Sequence, residues 1–275
     1  MTQKVNRQVG KKEITKTNEK VKKYKTIIII AVAICVVLII TIICLVILIG
    51  KDKNGSNNGS TSNDIKVSVK GSTIEELKTN SKSDIDNLTK SLEDEWKKIS
   101  GEIKTFDSYK ENKDKVSNFY DRIVKNSEDF SIRAREYALK YVEIIIHSEK
   151  SFYDKYDELE TIYDDIYDGI AEDLYKDIYD GLLEDMYDYY YDGILDDAYD
   201  KVPYSDYSNM RSTEYKNYSN ARSDVYKAYS KVRSDVYQFY SKIRSKIYSK
   251  NLDKAEEAIQ DFSKDIEKLK NKYKK

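Results

Sequence analysis

The chain has 275 residues, of which 35% are charged and 26 are tyrosines, whereas it contains one proline and nine glycines. Few helix breakers and many charges favour long, half-buried helices, so the composition predicts an all-α fold. Both cysteines lie inside one apolar segment, which excludes a disulfide framework, a cysteine-based zinc site and a cysteine nucleophile after residue 50.

An uninterrupted apolar segment near the N-terminus predicts a transmembrane helix. Residues 27–49 carry no charge and consist mainly of Ile, Val and Leu. As a helix they span about 34 Å, enough to cross a hydrocarbon core of about 30 Å. The run is longer than the apolar part of a signal peptide, and no small-residue cleavage site follows it. We therefore expect an uncleaved signal anchor at 26–50, which makes the lipid bilayer a partner.

The charges around this segment predict its orientation. Residues 1–25 carry nine Lys or Arg and two Glu, whereas residues 51–71 carry four Lys and two Asp. The more basic flank of a span stays in the cytoplasm, so we expect the tail 1–25 inside and the C-terminal part outside the cell membrane. Residues 51–71 are rich in Gly, Ser and Asn, which is typical of a flexible linker. The lack of disulfides and the low proline content favour a Gram-positive bacterial surface.

Residues 72–160 are predicted to form a helical bundle segment. Ser72 and Glu75 have the spacing of a capping box, which indicates the start of a helix. Apolar residues then recur at helical steps of three or four in three stripes, at 85–106, at 116–124 and from Ser131 onward.

Residues 161–200 divide into ten tetrads, nine of which end in Asp or Glu. The second and third places of every tetrad are apolar or aromatic, and Gly169, Gly181 and Gly193 recur every twelve residues. A step of four turns an α-helix about 40° beyond one full turn, so the apolar surface of this acidic helix would wind once around it. We expect either partners on several sides or a bend at the glycines.

Residues 201–275 are predicted to form a basic helix with two kinds of repeat. Pro203 ends the tetrads, and an eleven-residue repeat opened by Arg-Ser follows until a heptad pattern begins at Leu252. Residues 161–200 carry 14 acids and one lysine, whereas residues 201–250 carry 11 bases and four acids. These opposite charges predict an antiparallel helical hairpin, stabilised by apolar packing and selected by charge.

No catalytic motif stands out. The chain has one histidine, His147, and contains neither G-x-S-x-G nor a phosphate-binding glycine loop, so we predict no enzyme and expect no cofactor or metal site. The tetrads instead supply a candidate interaction surface of aromatic rings and carboxylates. Its residues are Tyr163, Tyr167, Tyr175, Tyr179, Tyr187, Tyr191, Asp164, Asp168, Asp180, Asp188 and Asp192.

Two functions fit this pattern. The first is a membrane-anchored, extracytoplasmic scaffold or adaptor of the cell envelope, which contacts a protein partner or a second copy through its helices. The second is a ligand-binding or sensory module that recognises cell-wall glycan or, weakly, divalent cations through the Tyr/Asp-rich helices. Placement outside the cytoplasm and the acidic neighbour of the basic repeats argue against nucleic acid.

Overall fold

The computed structural model describes residues 69–273, and every secondary-structure element in that part of the chain is helical. The predicted all-α class is therefore confirmed. Within residues 69–273, no helix combines the length and the apolar character needed to span a membrane. The predicted tail 1–25, the transmembrane segment 26–50 and residues 51–68 of the linker lie outside the described residues and stay predictions.

Five α-helices and one helical segment of mixed geometry form this part of the chain. The helices are α1 (Ile74–Glu102), α2 (Phe106–His147), α3 (Phe152–Glu158), α4 (Tyr204–Tyr248) and α5 (Leu252–Tyr273). Between α3 and α4 lies the segment that we call the rod, residues 160–198, which contains nearly all of the acidic tetrads.

The ends of α1 and α2 differ from the sequence prediction. The cap of α1 is Thr73 rather than Ser72, and its hydroxyl accepts a hydrogen bond from the backbone N–H of Glu76 at 3.2 Å. α1 ends at Glu102, the next residue Ile103 has an extended backbone, and Thr105 caps α2. The second and third apolar stripes consequently belong to one helix of 42 residues.

The rod alternates short α-helical turns with three π-helical segments. These are Tyr163–Ile170, Leu174–Leu182 and Asp188–Leu195, and each contains one of the recurring glycines. A π turn is wider than an α turn because its hydrogen bond spans five residues, as from the N–H of Ala171 to the carbonyl of Ile166. The backbone leaves helical geometry at Gly169 (φ −91°, ψ −106°), so the first glycine does mark an irregularity.

The expected winding of the apolar surface is wrong, because the π turns cancel the drift. Three turns of a regular α-helix take about 10.8 residues. One π segment in each twelve-residue repeat adds about one residue to three turns, so every repeat returns to the same face. Every fourth residue from 162 to 190 is accordingly buried: Ile162, Ile166, Ile170, Leu174, Ile178, Leu182, Met186 and Tyr190. The rod keeps one buried face along its length.

α2 lies at the centre of the bundle, in contact with α1, α4, α5 and the rod. α1 and the rod run parallel, since Lys78 near the start of α1 pairs with Asp165 at 3.0 Å and Lys104 just after α1 contacts Tyr189 at 3.1 Å. Most side chains of α2 between Phe130 and Ile146 are buried. The Ile, Leu and Val stripes seen in the sequence thus meet in one core.

α5 covers only the C-terminal half of α4. Its Phe262 stacks on Phe239 of α4 with ring centroids 4.0 Å apart, and its Lys270 forms an ion pair with Glu136 of α2. The side chain of Glu136 is 1% exposed, so this pair is buried where α5 meets α2.

Candidate functional site

The six tyrosines that the sequence analysis singled out form three stacked pairs along the rod. The pairs are Tyr163 with Tyr167, Tyr175 with Tyr179, and Tyr187 with Tyr191. Their ring centroids lie 4.5–4.8 Å apart, and their planes lie 17–21° from parallel. The partners are four residues apart, so the widened turns of the rod place one ring directly above the other, whereas a regular α-helix would offset them by about 40°.

α4 adds one exposed tyrosine to each pair. Tyr237, Tyr226 and Tyr215 are 48–53% exposed, and their ring centroids lie 5.7–6.5 Å from those of the pairs. We call each set of three a rung and the three rungs the tyrosine ladder. Rung 1 is Tyr163, Tyr167 and Tyr237; rung 2 is Tyr175, Tyr179 and Tyr226; rung 3 is Tyr187, Tyr191 and Tyr215. Eleven residues of α-helix rise about 16.5 Å, which is the spacing of the rungs.

An arginine of α4 stacks on the second rod tyrosine of each rung. The distance from guanidinium carbon to ring centroid is 4.0 Å for Arg233 in rung 1, 4.3 Å for Arg222 in rung 2 and 4.1 Å for Arg211 in rung 3. This is the geometry of a cation–π contact. Each guanidinium also donates to the hydroxyl of the tyrosine four residues before it, as Arg222 does to Tyr218. Each arginine is therefore held between two tyrosine rings, in addition to any contact with a carboxylate.

A carboxylate of the rod completes each rung. The pairs are Arg233 with Glu172 at 3.1 Å, Arg222 with Glu184 at 2.9 Å, and Arg211 with Asp196 at 2.6 Å. The arginines step by eleven residues in one direction and the acids by about twelve in the other, because both repeats take about three turns. The rod and α4 therefore lie antiparallel and in register, as the predicted hairpin requires. In rungs 1 and 2 a second donor reaches the same carboxylate: Tyr229 donates to Glu172 at 2.9 Å and Tyr218 to Glu184 at 2.6 Å.

The five aspartates of the predicted surface are all exposed on the rod. They are Asp164, Asp168, Asp180, Asp188 and Asp192. Three of them, Asp168, Asp180 and Asp192, occupy the same place in successive repeats. Burial, and after it the charge of these carboxylates, raises the pKa of the first tyrosine in each rung. The structure thus brings these three acids to the ladder. Asp168 pairs with Arg233 at 3.2 Å and Asp180 with Arg222 at 3.7 Å, whereas Asp164, Asp188 and Asp192 form no ion pair with any described residue.

A fully buried carboxyl group lies beside rung 3. Glu214 of α4 accepts hydrogen bonds from the hydroxyls of Tyr109 at 2.5 Å and Tyr120 at 2.6 Å, both on α2. The ring of Tyr190 on the rod lies 5.5 Å from that of Tyr109, and its buried hydroxyl has no hydrogen-bond partner within residues 69–273. Burial raises the pKa of Glu214 to about 7, although the two hydrogen bonds oppose this shift. Val225 holds the same position in the next repeat, so this acid departs from the repeat pattern.

Sequence reasoning missed the α4 half of the ladder. Each arginine of the eleven-residue repeat has one tyrosine four residues before it and another four residues after it, as Arg222 has Tyr218 and Tyr226. Aligning this repeat in reverse against the twelve-residue repeat would have matched Arg222 with Glu184. That alignment could have revealed the pairing from the sequence, but only if both repeats were known to make about three helical turns.

Within residues 69–273, no group of three or more His, Cys, Asp or Glu side chains is arranged to hold a metal ion. No protein-family model matches the chain, and comparison with curated proteins and with solved structures gives no match.

Proposed function

We propose that the protein is a membrane-anchored helical scaffold or adaptor of the cell envelope, and that the tyrosine ladder is its docking surface for a protein partner. The observation that carries this proposal is the exposure of the ladder: Tyr215, Tyr226 and Tyr237 each leave about half of their surface uncovered. Tyrosine is enriched at protein interfaces because it combines a large apolar face with a polar tip.

The serines that frame the ladder support a protein partner. Each ladder tyrosine of α4 has a serine three residues before it and another four residues after it, as Tyr226 has Ser223 and Ser230. Tyrosines supply rigid contact area at low entropic cost, and serines supply adaptable hydrogen bonds. This combination of residues is typical of antibody-type binding surfaces.

The burial of the apolar residues indicates that the ladder, and not the apolar faces of the helices, contacts a partner. From the sequence, the helices were expected to pair through their Ile, Val and Tyr edges. Ile166, Ile178, Val225 and Val236 are fully buried within a single chain. The rungs are the repeated aromatic surface that this packing leaves uncovered.

The membrane placement rests on the sequence. The charge-free segment 26–50 would anchor the chain in the cell membrane, and the basic tail 1–25 would hold its N-terminus in the cytoplasm. The ladder would then lie outside the cell, which we place among Gram-positive bacteria, where envelope proteins are its available partners.

The double variant Tyr215→Ser, Tyr226→Ser tests the docking surface. Both rings are about half exposed, so the bundle stays folded while two rungs lose their outer ring. We expect envelope proteins that cross-link to the wild-type chain in native cells to be lost. Tyr153→Ser is the matched control, because this tyrosine is 74% exposed and lies outside the ladder. Equal capture by the wild type and the double variant would show that the ladder is not the docking surface.

The exposed carboxylates beside the rings favour a second candidate, recognition of cell-wall glycan. Aromatic rings stack on the apolar faces of sugars, and Asp168, Asp180 and Asp192 would accept hydrogen bonds from their hydroxyls. Calorimetric titration with soluble wall fragments tests this candidate. A saturable heat that disappears in the double variant supports it, and absence of heat with the wild type rejects it.

A further inference from the structure

The arginine series of the ladder continues one repeat beyond rung 1. The guanidinium carbon of Arg244 lies 4.1 Å from the ring centroid of Tyr156 of α3. The same guanidinium donates to the hydroxyl of Tyr240 at 2.6 Å, and Tyr240 precedes it by four residues. Arg244 is therefore held between two rings in the same way as the arginines of the ladder.

At this fourth position no described carboxylate lies within ion-pair distance of the arginine. Within residues 69–273, Arg244 forms no ion pair and the hydroxyl of Tyr240 has no acceptor. Tyr240 is only 6% exposed. The repeat would supply Glu160, twelve residues before Glu172, but Glu160 lies exposed at the start of the rod and pairs with no described residue.

Arg244 and Tyr240 line an open cleft of 630 Å³ at this end of the ladder. The rings of Tyr163, Tyr237 and Tyr248 contribute to its walls, and the exposed Glu160 also borders it. A cleft walled by aromatic rings, with a few convergent polar groups, is the usual form of a binding site for a small ligand group.

We propose that this cleft binds a carboxylate of a partner peptide, which takes the place that Glu172 and Glu184 occupy in rungs 1 and 2. Those two carboxylates lie 2.6–3.1 Å from the arginine nitrogen and tyrosine hydroxyl that donate to them. A charged acceptor shared by a guanidinium and a hydroxyl forms strong hydrogen bonds. Because both templates are glutamate side chains, the favoured ligand is an acidic side chain or a C-terminal carboxylate of a peptide.

This inference rests on the proposed interaction function and names the chemistry of one contact. The test uses the full-length protein in detergent micelles and two peptide probes. Acetyl-Tyr-Glu-amide presents a side-chain carboxylate, and acetyl-Tyr-Gly with a free C-terminus presents a terminal one. Binding is followed by the NMR signal of the Arg244 Nε–H group, assigned by its loss in Arg244→Gln.

We expect a saturable shift of that signal with at least one of the two probes. Acetyl-Tyr-Gln-amide lacks the carboxylate and should bind about tenfold more weakly than its Glu counterpart. Calorimetry should give a loss of about tenfold for Arg244→Gln and a smaller loss for Tyr240→Phe. Arg222→Gln is the matched control and should keep the affinity, because the guanidinium of Arg222 is already paired with Glu184.

Three results would overturn the inference. If neither probe shifts the Arg244 signal, the cleft does not bind a peptide carboxylate. If glucuronate binds where both peptides fail, the ligand is a sugar acid. If Glu160→Gln lowers the melting temperature as much as Glu172→Gln does, Glu160 already fills the site, whereas we expect it to leave the melting temperature unchanged.

The outcomes also separate this inference from the proposed function. The double variant Tyr215→Ser, Tyr226→Ser leaves the residues of the cleft untouched. If that variant keeps its envelope partners while the peptides bind the cleft, the docking role of the ladder fails and the cleft stands. If the variant loses its partners while the peptides do not bind, the cleft alone is wrong.

Discussion

Replacing Glu214 with glutamine is expected to stabilise the bundle at alkaline pH and to change it much less in acid. The pKa of this buried carboxyl is about 7, against an ordinary value of 4.5, because burial disfavours its charged form. The titratable groups that face it are the phenols of Tyr109 and Tyr120 on α2 and of Tyr190 on the rod. None of these groups is a cation that would stabilise the carboxylate.

The raised pKa fixes the direction of the pH dependence. Between pH about 4.5 and about 7 the folded protein keeps a proton that the unfolded chain has lost, so stability falls as pH rises through this window. The difference between the two pKa values corresponds to about 3.4 kcal/mol once the pH exceeds both. Over the interval from about pH 5 to about pH 8, the loss from Glu214 amounts to about 2.5 kcal/mol.

Urea denaturation of the wild type and of Glu214→Gln at these two pH values measures this loss. Glutamine keeps the shape of glutamate but does not titrate; its amide oxygen can accept from one of the two phenols, and its amide N–H can donate to the hydroxyl oxygen of the other. The free energy of unfolding of the variant, relative to the wild type, should increase by about 2.5 kcal/mol from the acidic to the alkaline condition. A difference that is equal at both pH values would refute the reasoning.

Two further substitutions test the rod and the ladder. Gly169→Ala should lower the free energy of unfolding by about 1–2 kcal/mol, because the new Cβ would lie 3.0 Å from the carbonyl oxygen of Asp164 in the π turn. The control is Gly101→Ala, whose new Cβ meets open space, and it should raise the free energy of unfolding by about 0.5–1 kcal/mol. Arg222→Lys should cost about 1 kcal/mol, because lysine lacks the planar group that stacks on Tyr179. Urea denaturation measures the free energy of unfolding of each variant. An equal change for Gly169→Ala and Gly101→Ala would contradict the account of the π turn. An unchanged free energy of unfolding in Arg222→Lys would contradict the account of the stacked arginine.

The sequence was informative where one local cause determines the structure. Periodic apolar residues predicted helices, Pro203 placed the turn before α4, and the opposite charges of the two repeats predicted their antiparallel pairing. The heptad pattern that begins at Leu252 also matched the start of α5. There the side chain of Asn251 accepts a hydrogen bond from the backbone N–H of Lys254 at 3.1 Å. Each of these features depends on residues that are close in the chain or strongly charged.

Features that depend on two segments at once were not predicted. The π turns leave no local mark except the glycines, and their role is clear only when the twelve-residue repeat is set against the eleven-residue repeat of α4. The break between α1 and α2 at Ile103 was missed for a different reason: it carries no proline, Gly101 lies inside the last turn of α1, and the local mark is Thr105, the cap of α2. The burial of Glu214 could not be predicted from its own repeat, because it depends on the tyrosines of α2 that donate hydrogen bonds to it.

The measurement that tests the ladder most directly is site-specific photo-cross-linking in intact cells. A photoreactive phenylalanine analogue replaces Tyr226, the exposed ring of rung 2, or Tyr153, which is exposed outside the ladder. If the ladder is an extracytoplasmic docking surface, the analogue at position 226 forms a discrete adduct with an envelope protein that position 153 does not form. The same adducts at both positions, or none at position 226, would contradict the account.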